Sequence, residues 1–229
     1  MGKLKLSAAF QSASGALGEM IVAEVRGAPI ARRRPRYKRP TAPSQAAAAQ
    51  RFTQACEAWN ALTPSQAQQW RDYADSVWRS NAMTGTRYRG NAMTEFVALA
   101  TTYLQATPNG SIPLSPPSDS YIADRVTINV SATEAGIRWT ASAANEPDTV
   151  TELMVQKLPN PRRKPTKQYT AAAFVQFTAG ALTYDLPLDP GTYSLAYRFI
   201  RLSTGQSTLR LIAGLITVDD ATAPLMQSA

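Results

Sequence analysis

Any catalytic chemistry in this chain would have to rest on carboxylates. Three pairs stand close in sequence: Asp72 with Asp75, Asp185 with Asp189, and Asp219 with Asp220. Two carboxylates held at different pKa values can divide the work of general acid and general base. Asp72 and Asp75 fall in a helical pattern, Asp185 and Asp189 flank a turn, and Asp219-Asp220 follow the last apolar run, so each pair reads as solvated charge. The sequence has no histidine, which removes the commonest general base and metal ligand near neutral pH. Cys56 is the single cysteine. It has no disulfide partner, no companions for a zinc site and no histidine to make it a thiolate, and its place between Ala55 and Trp59 in a helical repeat marks it as core. No two glycines stand two apart, and Gly2-Lys3 is followed by Leu4, so neither a dinucleotide-binding turn nor a phosphate loop can be built. Ser-x-x-Lys and Gly-x-Ser-x-Gly are absent as well. The expectation is a protein with no catalytic residues, no cofactor and no metal.

The charge distribution is more telling. Residues 1–51 hold ten basic groups against two acids, 10 − 2 = +8, while the rest of the chain holds 14 of each, so the whole formal excess of +8 lies in one segment. A solvated basic tail would have such a charge, and so would an arm built for a partner. In Ala28–Ser44, prolines 29, 35, 40 and 43 suppress helix and favour extended or polyproline backbone. The candidate partner-binding residues are Arg26, Arg32, Arg33, Arg34, Arg36, Tyr37, Lys38 and Arg39. Ahead of them, Met20, Ile21, Val22 and Val25 form a β-prone run, and Arg26-Gly27 followed by Ala28-Pro29-Ile30 predicts a turn and return strand. Gly15 and Gly18 mark places where the backbone bends or meets a neighbour.

The elements behind this arm fall into two classes. Ser44 is a candidate N-cap, and Phe52, Cys56, Trp59 and Leu62 share one face of a first helix. Thr63-Pro64-Ser65-Gln66 is a capping box with proline at the first helical position, and Trp70, Ala74, Val77 and Trp78 line a second helix. After a looser stretch with Gly85 and Gly90, Asn91 caps a third helix carrying Met93, Phe96, Val97, Ala100 and Leu104. Residues 107–121 concentrate Pro, Gly, Ser and Asn, as a linker or hinge does. Beyond them the period changes to two: strands are predicted at 126–130, 137–139, 150–157, 168–177, 182–188, 192–202 and 207–218. The fold class is therefore α+β multidomain: an extended basic β-arm over 1–43, a small helical subdomain over 44–106, a linker over 107–121, an all-β sandwich over 122–218 and a tail over 219–229. No stretch approaches the roughly 18 apolar residues of a membrane span; Leu209–Val218 is short and contains Arg210. Gln11, Ser12 and Ser14 interrupt any secretory h-region, Leu6 stands where myristoylation wants Ser or Thr, and the sequons at Asn109 and Asn129 read as chance matches.

Two resemblances follow. Leu188-Asp189-Pro190-Gly191-Thr192-Tyr193, continued by Leu195, Tyr197 and Phe199, resembles the turn and sixth strand of fibronectin type III and related Ig-like modules, with one residue fewer between Thr and Tyr than the fibronectin pattern has. It implies an Ig-like sandwich with a tyrosine corner at Tyr193 and a core tryptophan at Trp139, and, as an analogy of fold, an adhesive or spacing role. Gly15-x-x-Gly18, Arg32-x-Arg34-Pro35, Gln50-Arg51-Phe52 and Trp59-x-x-Leu62-x-x-x-Gln66-x-x-x-Trp70 resemble a pattern found in uncharacterised bacteriophage and prophage proteins over residues 13–75. That likeness implies a virion structural protein made in the host cytoplasm, placed in head decoration or head-tail or tail attachment. Its implied partners are capsid, neck or tail subunits and further copies of itself in the particle, with no membrane. The alternative is a nucleic-acid-binding protein that sets the basic strip against phosphates; the sequence has no zinc finger, RRM signature or recognition helix to go with it.

Overall fold

A computed structural model describes residues 2–3, 15–17, 19–25, 28–33, 42–80, 87–166 and 168–219. These form three α-helices and thirteen β-strands, a mixed α+β chain with a β-rich C-terminal part. By their internal contacts they divide into two compact units, residues 1–46 and 47–229.

The first unit is built on strands β1 (Gly2–Lys3), β2 (Gly15–Leu17), β3 (Met20–Val25) and β4 (Ala28–Arg33), all antiparallel in the order β1-β4-β3-β2. The β3–β4 ladder runs from Met20↔Arg33 to Val25↔Ala28. Only Arg26 and Gly27 separate the strands, the length of the tightest hairpin loop; those two residues, like Gly18, lie outside the described ones. The expected two-stranded ribbon is thus widened to four strands, which answers the marginal stability of an isolated hairpin.

Three helices follow: α1 (Pro43–Asn60), α2 (Pro64–Ser76) and α3 (Ala92–Ala106). Helix α1 starts at Pro43, which corrects both Ser44 as the N-cap and Pro43 as a helix suppressor. Proline's fixed φ suits a first helical turn, where its missing N–H is not needed. Phe52 is 56% exposed and does not belong to the buried face, which consists of Ala55 with Cys56, Ala58, Trp59 and Leu62. The capping box at Thr63 is formed, with Gln66 N donating to Thr63 Oγ1 at 3.3 Å and Thr63 N to Gln66 Oε1 at 2.9 Å. Helix α2 ends at Ser76, two residues short of Trp78, where its apolar spacing predicts it to reach. Val77 is extended, and Trp78 opens a short antiparallel hairpin of β5 (Trp78–Ser80) and β6 (Arg87–Arg89). Valine and tryptophan favour strand over helix interior. Asn91 caps α3 as expected, its Oδ1 accepting from Met93 N at 2.9 Å, though Met93 itself is exposed. Phe96 joins the helices, its ring 5.1 Å from Trp70 edge-on and 5.6 Å from Trp59; such pairs are worth about 0.5–1.5 kcal/mol beyond area burial.

Seven strands complete the chain: β7 (Ile128–Thr133), β8 (Gly136–Ala141), β9 (Thr149–Leu158), β10 (Thr170–Val175), β11 (Thr183–Pro187), β12 (Gly191–Arg201) and β13 (Leu211–Val218). They form two antiparallel sheets, β11-β8-β7 and β10-β9-β12-β13. One apolar core lies between them, contributed by Val126, Ile128, Ile137, Trp139 and Ala141 from one side and Leu153, Tyr193, Leu195, Tyr197 and Phe199 from the other. Trp139 is fully buried at its centre. On β8 the alternation is direct: Ile137 and Trp139 point in, Arg138 points out and pairs with Asp185 across the β8–β11 ladder. Strand β12 departs from alternation because both its faces are covered. Tyr193, Leu195, Tyr197 and Phe199 enter the inter-sheet core, while Ser194, Ala196 and Ile200, on the other face, are buried as well, where α3 runs against the strand.

Residues 107–121 form no helix or strand, but they are bonded on both sides. Trp70 Nε1 donates to Leu114 O at 2.8 Å, Ile112 packs on the helical core, and Asp119 pairs with Arg201 of β12 at 3.0 Å. Among the described residues no helix is long and apolar enough to cross a membrane.

Candidate functional site

Two of the eight residues expected to contact a partner lie among the described ones. Arg32 and Arg33 are on β4, and Arg33 Nη2 pairs with Glu19 Oε2 at 2.9 Å. The Arg33 and Glu19 side chains are about 70% exposed, and an exposed pair of this kind contributes little to stability. Arg26, Arg34, Arg36, Tyr37, Lys38 and Arg39 lie outside the described residues.

Of the carboxylates singled out for chemistry, Asp72 and Asp75 are exposed on α2, and Asp72 and Asp185 have hydrogen-bond partners. Asp72 Oδ1 accepts from Gln68 Nε2 at 2.8 Å on the exposed side of α2. Asp185 takes a two-pronged bond from Arg138, with both N–O distances 2.7 Å. That hydrogen bond holds the Asp185 carboxyl below its ordinary range, which leaves an ionised acceptor and not a proton donor. Asp189 acts through its backbone: its carbonyl accepts from Tyr193 Oη at 2.8 Å, the hydrogen bond a tyrosine corner makes. Asp219 is exposed and Asp220 lies outside the described residues.

The buried acids are others, which sequence reasoning passed over. Glu95, the fourth residue of α3, has its side chain 5% exposed and is gripped by Arg79 of β5, whose Nε lies 3.1 Å from Glu95 Oε1. Glu152 of β9, 3% exposed, is bonded by Arg198 of β12 and by Gln105 of α3. Asp124 accepts from Asn145 Nδ2 at 2.9 Å and Glu146 N at 3.1 Å, while Asn145 Oδ1 accepts from Phe177 N and Thr151 Oγ1. A buried carboxylate survives only when charge or donors replace its water, and each of these has such partners. Their spacing gave no sign of this, because every partner comes from another element. Among the described residues no three His, Cys, Asp or Glu side chains converge as metal ligands.

A cleft of about 630 Å³ in the second unit opens between α2, α3 and β5 on one side and residues 117–121 and 205–207 on the other. Its walls are mainly polar. Tyr73, Arg79, Asp119, Tyr121 and Gln206 line it, but their polar atoms are spent: Asp119 on Arg201, which keeps its carboxyl below the ordinary range, Arg79 on Glu95, Tyr121 on Thr149, and Gln206 Nε2 on Asp119 O at 3.0 Å. Burial pushes the Tyr73 and Tyr121 phenols up, away from a general-base role near neutral pH. The arrangement holds elements together and offers no nucleophile paired with a base.

No protein-family model matches the chain, and no curated protein matches it.

Proposed function

We propose that this chain is a non-catalytic structural protein of a bacteriophage virion, anchored through its basic N-terminal arm and presenting an Ig-like, fibronectin-like β-sandwich. The observation that carries the reading is the sandwich. Its strand order, β11-β8-β7 against β10-β9-β12-β13, together with the Tyr193–Asp189 bond and the buried Trp139, supports the Ig-like reading, and through it, by analogy of fold, an adhesive or spacing role. The buried acids support the non-catalytic part, since each is committed to an arginine or to amide donors that hold the fold.

The arm supplies the anchoring half of the reading. Residues 1–43 hold nine basic groups against two acids, 9 − 2 = +7, and their described part forms a small antiparallel sheet, so attachment there combines backbone pairing and apolar contact with charge. Charge pairs at a surface are screened within about 8–10 Å at physiological salt and contribute little. Deleting residues 1–43 should therefore abolish incorporation into particles, whereas Arg32→Ala, Arg33→Ala, Arg34→Ala and Arg36→Ala together should only weaken it. Mass spectrometry of purified particles reads both results. Absence of the wild-type protein from particles, with tight and salt-sensitive DNA binding in solution, would favour the nucleic-acid alternative.

A further inference from the structure

The sequence outside the first 51 residues balances in charge, but the fold concentrates part of that balance. Residues 77–90 hold three arginines and no acid, and within them Trp78–Ser80 and Arg87–Arg89 pair as β5 and β6. Directly paired residues of an antiparallel ladder share a face. The pairs Trp78↔Arg89 and Ser80↔Arg87 therefore share one face, and Arg79↔Tyr88 the other. Arg79 is spent on Glu95, which pins the hairpin to α3. The opposite face has no such duty. Trp78 is 57% exposed, Arg87 and Arg89 are exposed, and the Arg89 guanidinium lies over the indole with its carbon 4.7 Å from the ring centroid. Among the described residues no acid is paired with Arg87 or Arg89. Tyr88, 52% accessible, is exposed on the Arg79 face of the hairpin.

We infer that this hairpin is a contact site for single-stranded nucleic acid. An indole with an arginine stacked on it and a second arginine on the same face offers what an unpaired strand needs: a flat surface on which a base stacks, and cations for the flanking phosphates. An acidic peptide would use the arginines, but its carboxylates gain nothing from the exposed indole on which a base can stack. The arm plays no part in this contact, and the inference does not depend on the chain being carried in particles.

Because the arm is basic too, binding alone decides nothing; the test must be local. Trp70 and Trp139 are buried and Trp59 is half-buried, so quenching of tryptophan emission by a bound base reports on Trp78. Oligo(dT), unlabelled for emission and fluorescein-labelled for anisotropy, is titrated into the full chain, its Trp78→Phe, Trp78→Ala and Arg87→Ala/Arg89→Ala variants. The expected results are quenching in the wild type that Trp78→Phe abolishes with affinity nearly kept, a loss of roughly 5- to 150-fold for Trp78→Ala from the stacked base, and a log–log salt slope shallower by about 1.4 for the arginine pair, two phosphates at about 0.7 each. All three substitutions fall on exposed side chains and leave Arg79–Glu95 in place, so folding survives. Oligo(dT) binding without Trp78-dependent quenching, or with an unchanged salt slope in the arginine variant, would place the contact elsewhere and overturn the inference. Equal quenching by poly-glutamate would overturn it in favour of an acidic protein partner.

Discussion

Gly205 is the position where one methyl group should do the most damage. It is buried in the turn after β12 with φ +74°, and a Cβ there would overlap the Leu99 carbonyl oxygen of α3 and stand 2.9 Å from its carbon and 3.3 Å from Tyr103 Cβ. The left-handed conformation costs an L-residue about 1–2 kcal/mol by itself. The overlap adds to this, because a carbonyl inside a helix is fixed by the helix and cannot step back; the turn must lift instead. Lifting it strains Gly205 N to Arg201 O at 2.8 Å, Arg201 N to Gln206 O at 2.9 Å and Gln206 Nε2 to Asp119 O at 3.0 Å, each worth about 1 kcal/mol net. Gly205→Ala should therefore cost about 3 kcal/mol, which for a unit of this size lowers Tm by roughly 6–12 °C. Gly180→Ala is the matched control, since a Cβ at Gly180 meets nothing within 4 Å; it should be neutral or slightly stabilising. Urea and thermal unfolding followed by circular dichroism measure both. If Gly205→Ala unfolds within about 0.5 kcal/mol of the wild type, the size of an ordinary surface substitution, the turn does not rest on α3.

Two further outcomes follow from the sandwich core and the cleft. Trp139 is fully buried and its Nε1 has no hydrogen-bond partner; Trp139→Ala should cost about 3–5 kcal/mol as a cavity, but Trp139→Phe no more than about 1, because removing an unsatisfied buried donor returns about 1–3 kcal/mol, and equal costs in chemical denaturation would refute this. Tyr73 and Tyr121 have phenols raised above 10.0, first by burial and then by nearby Glu95 and Asp124 respectively. A raised folded-state pKa contributes stability that is full below 10.0 and is lost as pH rises through the folded values, so two tyrosines should titrate late by absorbance near the onset of alkaline unfolding, and Tyr73→Phe with Tyr121→Phe should remove that late component.

The sequence was most legible where one face of an element is wet. Ile137-Arg138-Trp139 shows the period of two that places Trp139 in the inter-sheet core, and the seven predicted strands each overlap an observed one. Capping chemistry was legible too, because the Thr63 box and Asn91 act within four residues of themselves. What could not be read was anything set by a distant partner. Val77 and Trp78 continue the helical spacing of Trp70 and Ala74, yet the chain leaves the helix there so that Arg79 can reach Glu95. Phe52 keeps the spacing of Cys56 but faces solvent. Glu95, Glu152 and Asp124 read as ordinary surface acids until Arg79, Arg198 and Asn145 are brought against them.

The same dependence on distant partners decides how the helices and the sandwich share their stability. The cluster that joins the three helices is small, and its buried members are Ala55, Trp70, Phe96, Val97 and Ala100. Helix α3 adds to it by burying Leu104 and by lying on β12, where Ala196 and Ile200 are covered, and residues 107–121 close the second contact through Trp70–Leu114, Asp119–Arg201 and Tyr121–Thr149. A segment with a hinge's composition is thereby tied at both ends, because its prolines and serines leave carbonyls and hydroxyls free to bond outward once they are denied a helix or a ladder. The helices are in this way stabilised by the sandwich, so a force applied at α1 reaches β12 through packed side chains and not through a loose linker.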